Sequence, residues 1–312
     1  MGYWAGGLAS WRSRQYEIAG AFFRTLVELE NAPDVLRAGA AFWAHRALMR
    51  DGEPLKAMTY LDVASYYPAN FYGVAAIQAS GQIQKMDFIQ PDVSENFLTW
   101  LIAQAGGRRA LGLLQVGNWT EAARELRYLH AGMPESFSRD LIGFAARFNM
   151  PGLAFRLADI YRRETGIEYN AALYPILDTD IDFSVDEALI WAIIRKESGF
   201  YPLARSRAKA AGLMQLMPAT AAFIARDRKF RTSKKHLLHD PDVNLTLGQD
   251  YIAHLLDEPH IRGDLVRLLA AYNGGPGNLK KWLRSTNHQD DSLLLIESIP
   301  ARETRNYIKG VI

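Results

Sequence analysis

The sequence predicts an all-α fold in two compact parts: helical hairpin repeats forming an α-solenoid, then a second helical domain. Residues from 1 to about 168 are dominated by Ala, Leu, Arg and aromatic residues at helical spacing. Short echoes recur there at intervals suited to stacked helix pairs. Further on, apolar helical runs alternate with breaker clusters such as Gly274-Gly275-Pro276-Gly277. A chain of 312 residues with 49% hydrophobic content has material for two cores. The expected division is 1–168 and 169–312, with Tyr169 to Phe183, which contains Pro175 and several acidic groups, reading as the linker.

In chain order, Tyr3-Trp4-Ala5 returns as Phe42-Trp43-Ala44, 39 positions later. Arg46-Ala47-Leu48, followed by Gly52 and Ala57, returns as Arg109-Ala110-Leu111, followed by Gly117 and Ala122. A third variant runs from Ala145 and Arg147 through Gly152 to Ala158. Small residues at helix crossings with this recurrence describe an α-solenoid; an irregular helical domain without true repeats is the alternative. Tyr66-Tyr67-Pro68-Ala69-Asn70-Phe71-Tyr72-Gly73 reads as a helix end, a proline stop and a restart packed by aromatics.

The most informative stretch is Ala188 to Pro218. Ser184 and Glu187 have capping-box spacing, so a helix is expected from about Val185 to Ser198, stopping near Gly199 before Pro202. Ile190, Ile193 and Ile194 make it a buried helix, and Glu197 stands at its end. A buried Glu is rare unless paired or functional, and an apolar setting raises its pKa toward that of a general acid. On its own the helix is equally an ordinary core helix ending in a solvated Glu. Ala211-Gly212-Leu213-Met214-Gln215-Leu216-Met217-Pro218 reads as the opening of another helix, with Gly212 allowing close backbone approach.

Downstream lie Asn244-Leu245-Thr246-Leu247-Gly248, then Ala270-Ala271-Tyr272-Asn273-Gly274 with its breaker cluster, then Glu297-Ser298-Ile299-Pro300 and Glu303-Thr304-Arg305-Asn306-Tyr307. Each has a plain structural reading. Met214, Leu216 and Met217 suit a helix core, Tyr272 suits a packed tyrosine, and Glu297 suits a cap on the last helix.

In order and spacing, these segments resemble the catalytic domain of the soluble lytic transglycosylases, relatives of goose-type lysozyme, over about Phe183 to Ile312. The family patterns are E-S-x-[FW], G-L-M-Q-[LI]-M-P, N-x-x-x-G, A-Y-N-x-G-P and E-x-I-P-x-x-E-T-x-x-Y. The Tyr66–Gly73 stretch is similar to one in the superhelical region that precedes that domain. The resemblance implies a lysozyme-like helical catalytic domain after the solenoid. It implies that Glu197 is the sole acid and base, with Ser198 beside it and Ser206 near the reacting sugar's acetamido group. It implies that Gln215 and Met217 line a glycan groove, the Met217 carbonyl as an acceptor, that Tyr272 and Asn273 face Glu197, and that Glu297 and Tyr307 close the site. The family's superhelix is longer and its C-terminus continues with another helix, so the chain reads as part of a longer one.

Ordinary glycosidases need two carboxylates, and no second one here has support comparable to Glu197. The resemblance implies a different chemistry. Glu197 protonates the leaving oxygen between N-acetylmuramic acid and N-acetylglucosamine, the substrate's own acetamido group stabilises positive charge, and Glu197 then deprotonates the C6 hydroxyl to give a 1,6-anhydro sugar. A goose-lysozyme-type hydrolase is the alternative, and a glycan-binding scaffold with a decayed site the third reading.

Composition excludes some classes. A formal charge of +2 argues against a nucleic-acid binder. No apolar run approaches the ~20 residues of a membrane span, and no signal peptide is visible at Met1-Gly2-Tyr3-Trp4. Zero Cys excludes disulfides and thiolate ligation; His236 and His239, the closest pair of seven histidines, lack a ligand set, so neither metal nor cofactor is expected. Basic residues between Arg205 and Lys235 suit either a solvated face or attraction to anionic peptidoglycan. The partners implied are peptidoglycan glycan strands and cell-wall proteins on the helical domain, for a monomer in the periplasm.

Overall fold

The computed structural model describes residues 2–312. Every regular element among them is helical; β structure is limited to isolated bridges. The chain divides into two compact units, one of residues 2–85 with 258–310 and 312, the other of residues 86–257 with 311. The division expected at 168/169 differs from this grouping, and the physical reason lies in the core of the first unit.

That unit begins with α1 (Gly2–Arg12), α2 (Tyr16–Glu28), α3 (Asp34–Arg50), α4 (Pro54–Ser65) and α5 (Phe71–Ala79). It ends with α15 (Leu265–Gly274), α16 (Pro276–Ser285), α17 (Ser292–Ser298) and α18 (Arg302–Val311), the labels α6–α14 belonging to the other unit. Leu294 of α17 is buried in one cluster with Trp11, Phe23, Trp43 and Tyr72 of the N-terminal helices. Arg46 pairs with Asp291 at 2.6 Å while its guanidinium lies over the rings of Trp11 and Trp43, and Arg12 donates to Ser298 Oγ at 2.9 Å. A partly buried Arg stacked on two indoles and paired to a carboxylate is a strong anchor. The C-terminal helices therefore complete the core that the first five helices begin.

The second unit comprises α6 (Glu95–Ala103), α7 (Ala105–Gln115), α8 (Trp119–His130), α9 (Ser138–Arg147), α10 (Pro151–Thr165), α11 (Asn170–Leu173), α12 (Glu187–Glu197), α13 (Pro218–Ile224) and α14 (Pro241–Leu256). Phe97, Leu126, Phe144 and Leu157 form its solenoid core. The sequence echoes mark helix hairpins. Ala47 and Ala57 of α3–α4, Ala110 and Ala122 of α7–α8, and Ala145 and Ala158 of α9–α10 are all fully buried. Small residues there let the backbones cross closely. Gly52 and Gly117 turn the first two hairpins with φ of 82° and 72°. In the third, Asn149 (φ 50°) makes the turn and Gly152 lies inside α10. Asn takes a left-handed turn at modest cost, which frees the glycine for a crossing where a Cβ would press on the Phe200 carbonyl.

The expected linker is shorter than residues 169–183. Its first part folds as α11, with Ala172 and Leu173 in the core and Arg195 Nε donating to the Leu173 carbonyl at 2.9 Å.

Candidate functional site

Five of the nine candidate residues, Glu197, Ser198, Ser206, Gln215 and Met217, fall in the second unit; Tyr272, Asn273, Glu297 and Tyr307 fall in the first.

Glu197 is the last residue of α12, half-buried, behind the fully buried Ile190, Ile193 and Ile194. The helix start differs from the expected capping box. Asp186 is the N-cap, accepting the Ala188 N–H at 2.8 Å, and Glu187 instead accepts from Trp191 Nε1 at 2.8 Å. Ser184 is occupied elsewhere, its N–H and hydroxyl both donating to Gln249 Oε1 of α14 (2.8 and 3.3 Å). After Glu197, Gly199 (φ 56°) and Phe200 (φ 63°) turn the chain sharply, and Ser198 Oγ donates to the Ile194 carbonyl at 3.2 Å.

The segment 211–217 is not the opening of a helix; α13 starts at Pro218. It is a bridged loop, with antiparallel bridges Arg205–Ala211 and Ala211–Leu216 and left-handed backbone at Gly212 (φ 82°) and Gln215 (φ 49°). A side chain at Gly212 would overlap the Leu238 carbonyl and the Asn244 amide, so only glycine fits. Asn244, fully buried, accepts the Met214 N–H (2.7 Å) and donates to the carbonyls of Ala211 (3.0 Å) and Leu238 (2.8 Å). Four residues on, one helical turn away, Gly248 makes room for the Met214 sulfur. The Asn…Gly pair of one motif thus locks the Gly-Leu-Met-Gln segment of another.

The candidates on this loop are partly engaged by it. Gln215 Nε2 donates to the carbonyls of Ala204 and Gly212 (3.1 and 2.8 Å). Ser206 Oγ accepts the Ala210 N–H (3.0 Å). The Met217 carbonyl takes the Ala221 N–H at 3.0 Å in the first turn of α13, whereas its side chain is 40% exposed. The basic stretch continues beyond α13, where Arg226, Arg228 and Arg231 are exposed beside Phe223. Lys234 and the Lys229 N–H hold the Asp227 carboxyl below its ordinary range by hydrogen bonding.

In the first unit, Tyr272 and Asn273 lie in the last turn of α15, and Gly275 (φ 86°) with Pro276 at the start of α16 makes the corner. The Tyr272 ring is parallel to that of Tyr307 on α18, 4° apart in plane and 6.4 Å between centroids. Tyr307 is buried, and Thr304 Oγ1, one turn before it, donates to Asn273 Oδ1 at 2.8 Å.

Glu297 has a place the sequence did not suggest. Its carboxylate, 6% exposed, is paired with Lys309 Nζ at 2.5 Å and accepts from the Tyr72 hydroxyl at 2.5 Å. Tyr72 in turn accepts from Trp43 Nε1 at 3.0 Å, and Lys309 lies over the Tyr72 ring. Burial, then the charge of Glu297, push the Tyr72 phenol well above its ordinary value of 10.0. Three motifs noted in the sequence therefore meet at one network: Phe42-Trp43-Ala44, Phe71-Tyr72-Gly73 and Glu297-Ser298-Ile299-Pro300. Neither Asn244 nor Tyr72 was singled out for a role by sequence reasoning. The available signal was an Asn, polar in an apolar helical run, four residues before a Gly.

The geometry has counterparts among known proteins. Residues 177–295 match the family described as Transglycosylase SLT domain. Over 129 residues the chain is 33% identical to the soluble lytic murein transglycosylase of Escherichia coli strain K12, covering 41% of this chain and 20% of that protein. It is 32% identical over 161 residues to a putative soluble lytic murein transglycosylase of Haemophilus influenzae, covering 51% of this chain and 25% of that one. An inactive mutant of the lytic transglycosylase Slt from Pseudomonas aeruginosa has a TM-score of 0.76 at 25% identity, over 98% of this chain and 49% of that one. The 70 kDa soluble lytic transglycosylase of Escherichia coli shares the fold with a TM-score of 0.75 at 23% identity, over 94% and 47%. The match spans about half the length of the solved relatives and a fifth to a quarter of the curated ones. By sequence and by fold the chain is similar to the soluble lytic transglycosylases, and residues 177–295 match the transglycosylase SLT domain.

Proposed function

We propose that this chain carries the catalytic part of a peptidoglycan lytic transglycosylase acting in the periplasm. It cleaves the β-1,4 bond between N-acetylmuramic acid and N-acetylglucosamine and leaves a 1,6-anhydro-muramoyl end. The observation that carries the reading is the position of Glu197 in the segment matching the SLT domain. It is the half-buried last residue of a helix whose buried face is Ile190, Ile193 and Ile194, in the same unit as the loop that Asn244 fixes. A carboxyl so placed suits proton transfer in both directions: it is half-buried, and it ends a helix whose C-terminal dipole disfavours the anion.

In the proposed reaction, protonated Glu197 donates to the glycosidic oxygen as the bond to the anomeric carbon breaks. The substrate's 2-acetamido oxygen stabilises the cation. The Glu197 carboxylate then takes the proton of the C6 hydroxyl as that oxygen bonds to the anomeric carbon, so no water is consumed. Glycan binding is assigned to Ser198, Ser206, Gln215 and Met217 in the unit of Glu197 and to Tyr272, Asn273, Glu297 and Tyr307 in the other. No cofactor is required.

Mass spectrometry of fragments released from purified peptidoglycan tests this, with Glu197→Gln alongside. The expected fragments are one water lighter than hydrolysis products, and the variant releases none. Reducing-end fragments would replace the reading with lysozyme-type hydrolysis. Wild-type turnover in Glu197→Gln would remove Glu197 from the mechanism.

A further inference from the structure

The densest cluster of positive charge in the chain lies just beyond α13. Residues 226–235 hold six basic side chains and one acidic one. The whole chain is only +2, so this stretch is +5 and the remainder is net −3. The single acid, Asp227, serves the local fold. It accepts the Lys229 N–H at 2.9 Å and Lys234 Nζ at 2.8 Å, while buried Phe230 anchors the helical turn Arg228–Arg231. Arg226, Arg228 and Arg231 are exposed and, among the described residues, have no carboxylate partner.

Arg226 closes α13 in a left-handed conformation (φ 51°), with the Asp227 N–H on the Ala222 carbonyl at 3.1 Å. Glycine is the residue such a helix end favours, because it has no Cβ to strain. A guanidinium is kept here against the backbone preference. With Ala222 and Phe223, the three arginines line an open groove of about 620 Å³. Phe223 is 61% exposed, and its ring is braced edge-to-face against His254 of α14 at 5.1 Å.

A lone exposed phenylalanine means little. One set among unpaired guanidinium groups makes a different surface. The side chains of this groove offer hydrogen-bond donors and an apolar ring, and none of them accepts. Sugar hydroxyls call for acceptors as well as donors. A polyanion without apolar parts leaves the ring in water. A phospholipid surface matches both features: its phosphate oxygens only accept, and a ring can enter the apolar zone beneath them. No helix among the described residues is long and apolar enough to cross a membrane, so such contact is peripheral.

We propose that the face from Phe223 to Arg231 is a docking surface for an anionic phospholipid bilayer. Arg226, Arg228 and Arg231 bind headgroup phosphates, and Phe223 inserts at the interface. None of this depends on the reaction assigned to Glu197.

Vesicle flotation with the full chain tests the proposal. The vesicles are equimolar phosphatidylglycerol and phosphatidylcholine, with pure phosphatidylcholine vesicles, purified peptidoglycan and inorganic polyphosphate as comparisons. Each basic side chain near an anionic bilayer contributes roughly five-fold to binding. The expected result is binding to anionic and not to neutral vesicles, weakened roughly ten-fold or more in Arg226→Gly/Arg228→Gln/Arg231→Gln. Phe223→Ser should weaken vesicle binding several-fold and leave polyphosphate binding unchanged. All four side chains are exposed, glycine suits the turn at 226, and an unchanged melting temperature verifies folding. No flotation, equal binding to neutral vesicles, or undiminished affinity in the arginine variant would each overturn the proposal. Undiminished vesicle binding by Phe223→Ser would reduce the face to an unselective anion site and overturn it too. So would retention on peptidoglycan that falls as steeply as vesicle binding in the arginine variant, since the wall would then be the occupant.

Discussion

The two units build their candidate residues by opposite means. In the second, the loop from Ser206 to Met217 is held by backbone hydrogen bonds, a neutral amide and glycines that admit close approach. In the first, Glu297 is held by charge and by a phenol, Lys309 and Tyr72, next to an indole. The difference teaches where each region is vulnerable. A geometry defined by absent Cβ atoms and neutral hydrogen bonds yields to added volume and is indifferent to pH. A geometry defined by a buried carboxylate yields to charge removal and to titration.

The largest expected effect is in the first class. Gly212→Ala brings a Cβ onto the Leu238 carbonyl at a φ of 82°, and the expected cost is more than about 3 kcal/mol. Asn244→Ala removes the acceptor of the Met214 N–H and the donor to the Leu238 carbonyl, while the Ala211 carbonyl keeps the Leu216 N–H, at about 3 kcal/mol. Urea unfolding measures both. A loss under about 1 kcal/mol in each would break the claim that this loop is defined by its backbone.

Glu297→Gln comes next, keeping an acceptor for Tyr72 but leaving Lys309 without its counter-ion, at about 2 kcal/mol. The same measurement at high salt sharpens the contrast, since Asn244→Ala should be salt-indifferent. Tyr72→Phe is smaller at neutral pH, about 1–2 kcal/mol, because it strands Trp43 Nε1 while Glu297 Oε1 keeps Lys309. Its distinctive signature is alkaline. The folded-state pKa of Tyr72 is raised above the unfolded value, so its stabilisation is complete below about pH 10 and is lost as pH climbs toward the folded value. The wild type should therefore lose stability above pH 10 more steeply than Tyr72→Phe. Parallel pH profiles would detach Tyr72 from the network. The smallest test is local: Asp186→Ala should cost about 1 kcal/mol and Ser184→Ala clearly less, the reverse of what a capping box demands.

The sequence made helices and hairpin crossings legible because they depend on local spacing. The Ala–Gly–Ala echoes fell at buried crossings in three hairpins, and the turn glycines were right in two. The third failed because Asn149 can take the left-handed turn itself. The capping box failed for a related reason: Asp186 and Ser184 are both competent caps, and Gln249, 65 residues away, decided between them. The Gly-Leu-Met-Gln segment reads as helical because its apolar residues suit a helix; two left-handed residues and a partner in α14 make it a loop. The grouping of the C-terminal helices with the first five and the setting of Glu297 were illegible for one reason. Leu294, Asp291 and Glu297 find partners more than 200 residues earlier, and nothing local in either segment announces the other.

That long closure has a consequence for synthesis. Residues 86–257 are contiguous, so their unit can fold as soon as it leaves the ribosome. The enclosing unit cannot. Trp11, Phe23 and Trp43 wait for Leu294, and Arg46 waits for Asp291, which is made 245 residues later. High contact order slows such a step and leaves apolar surface open meanwhile. The N-terminal helices are thus left with an apolar face open from their own synthesis until that of α17.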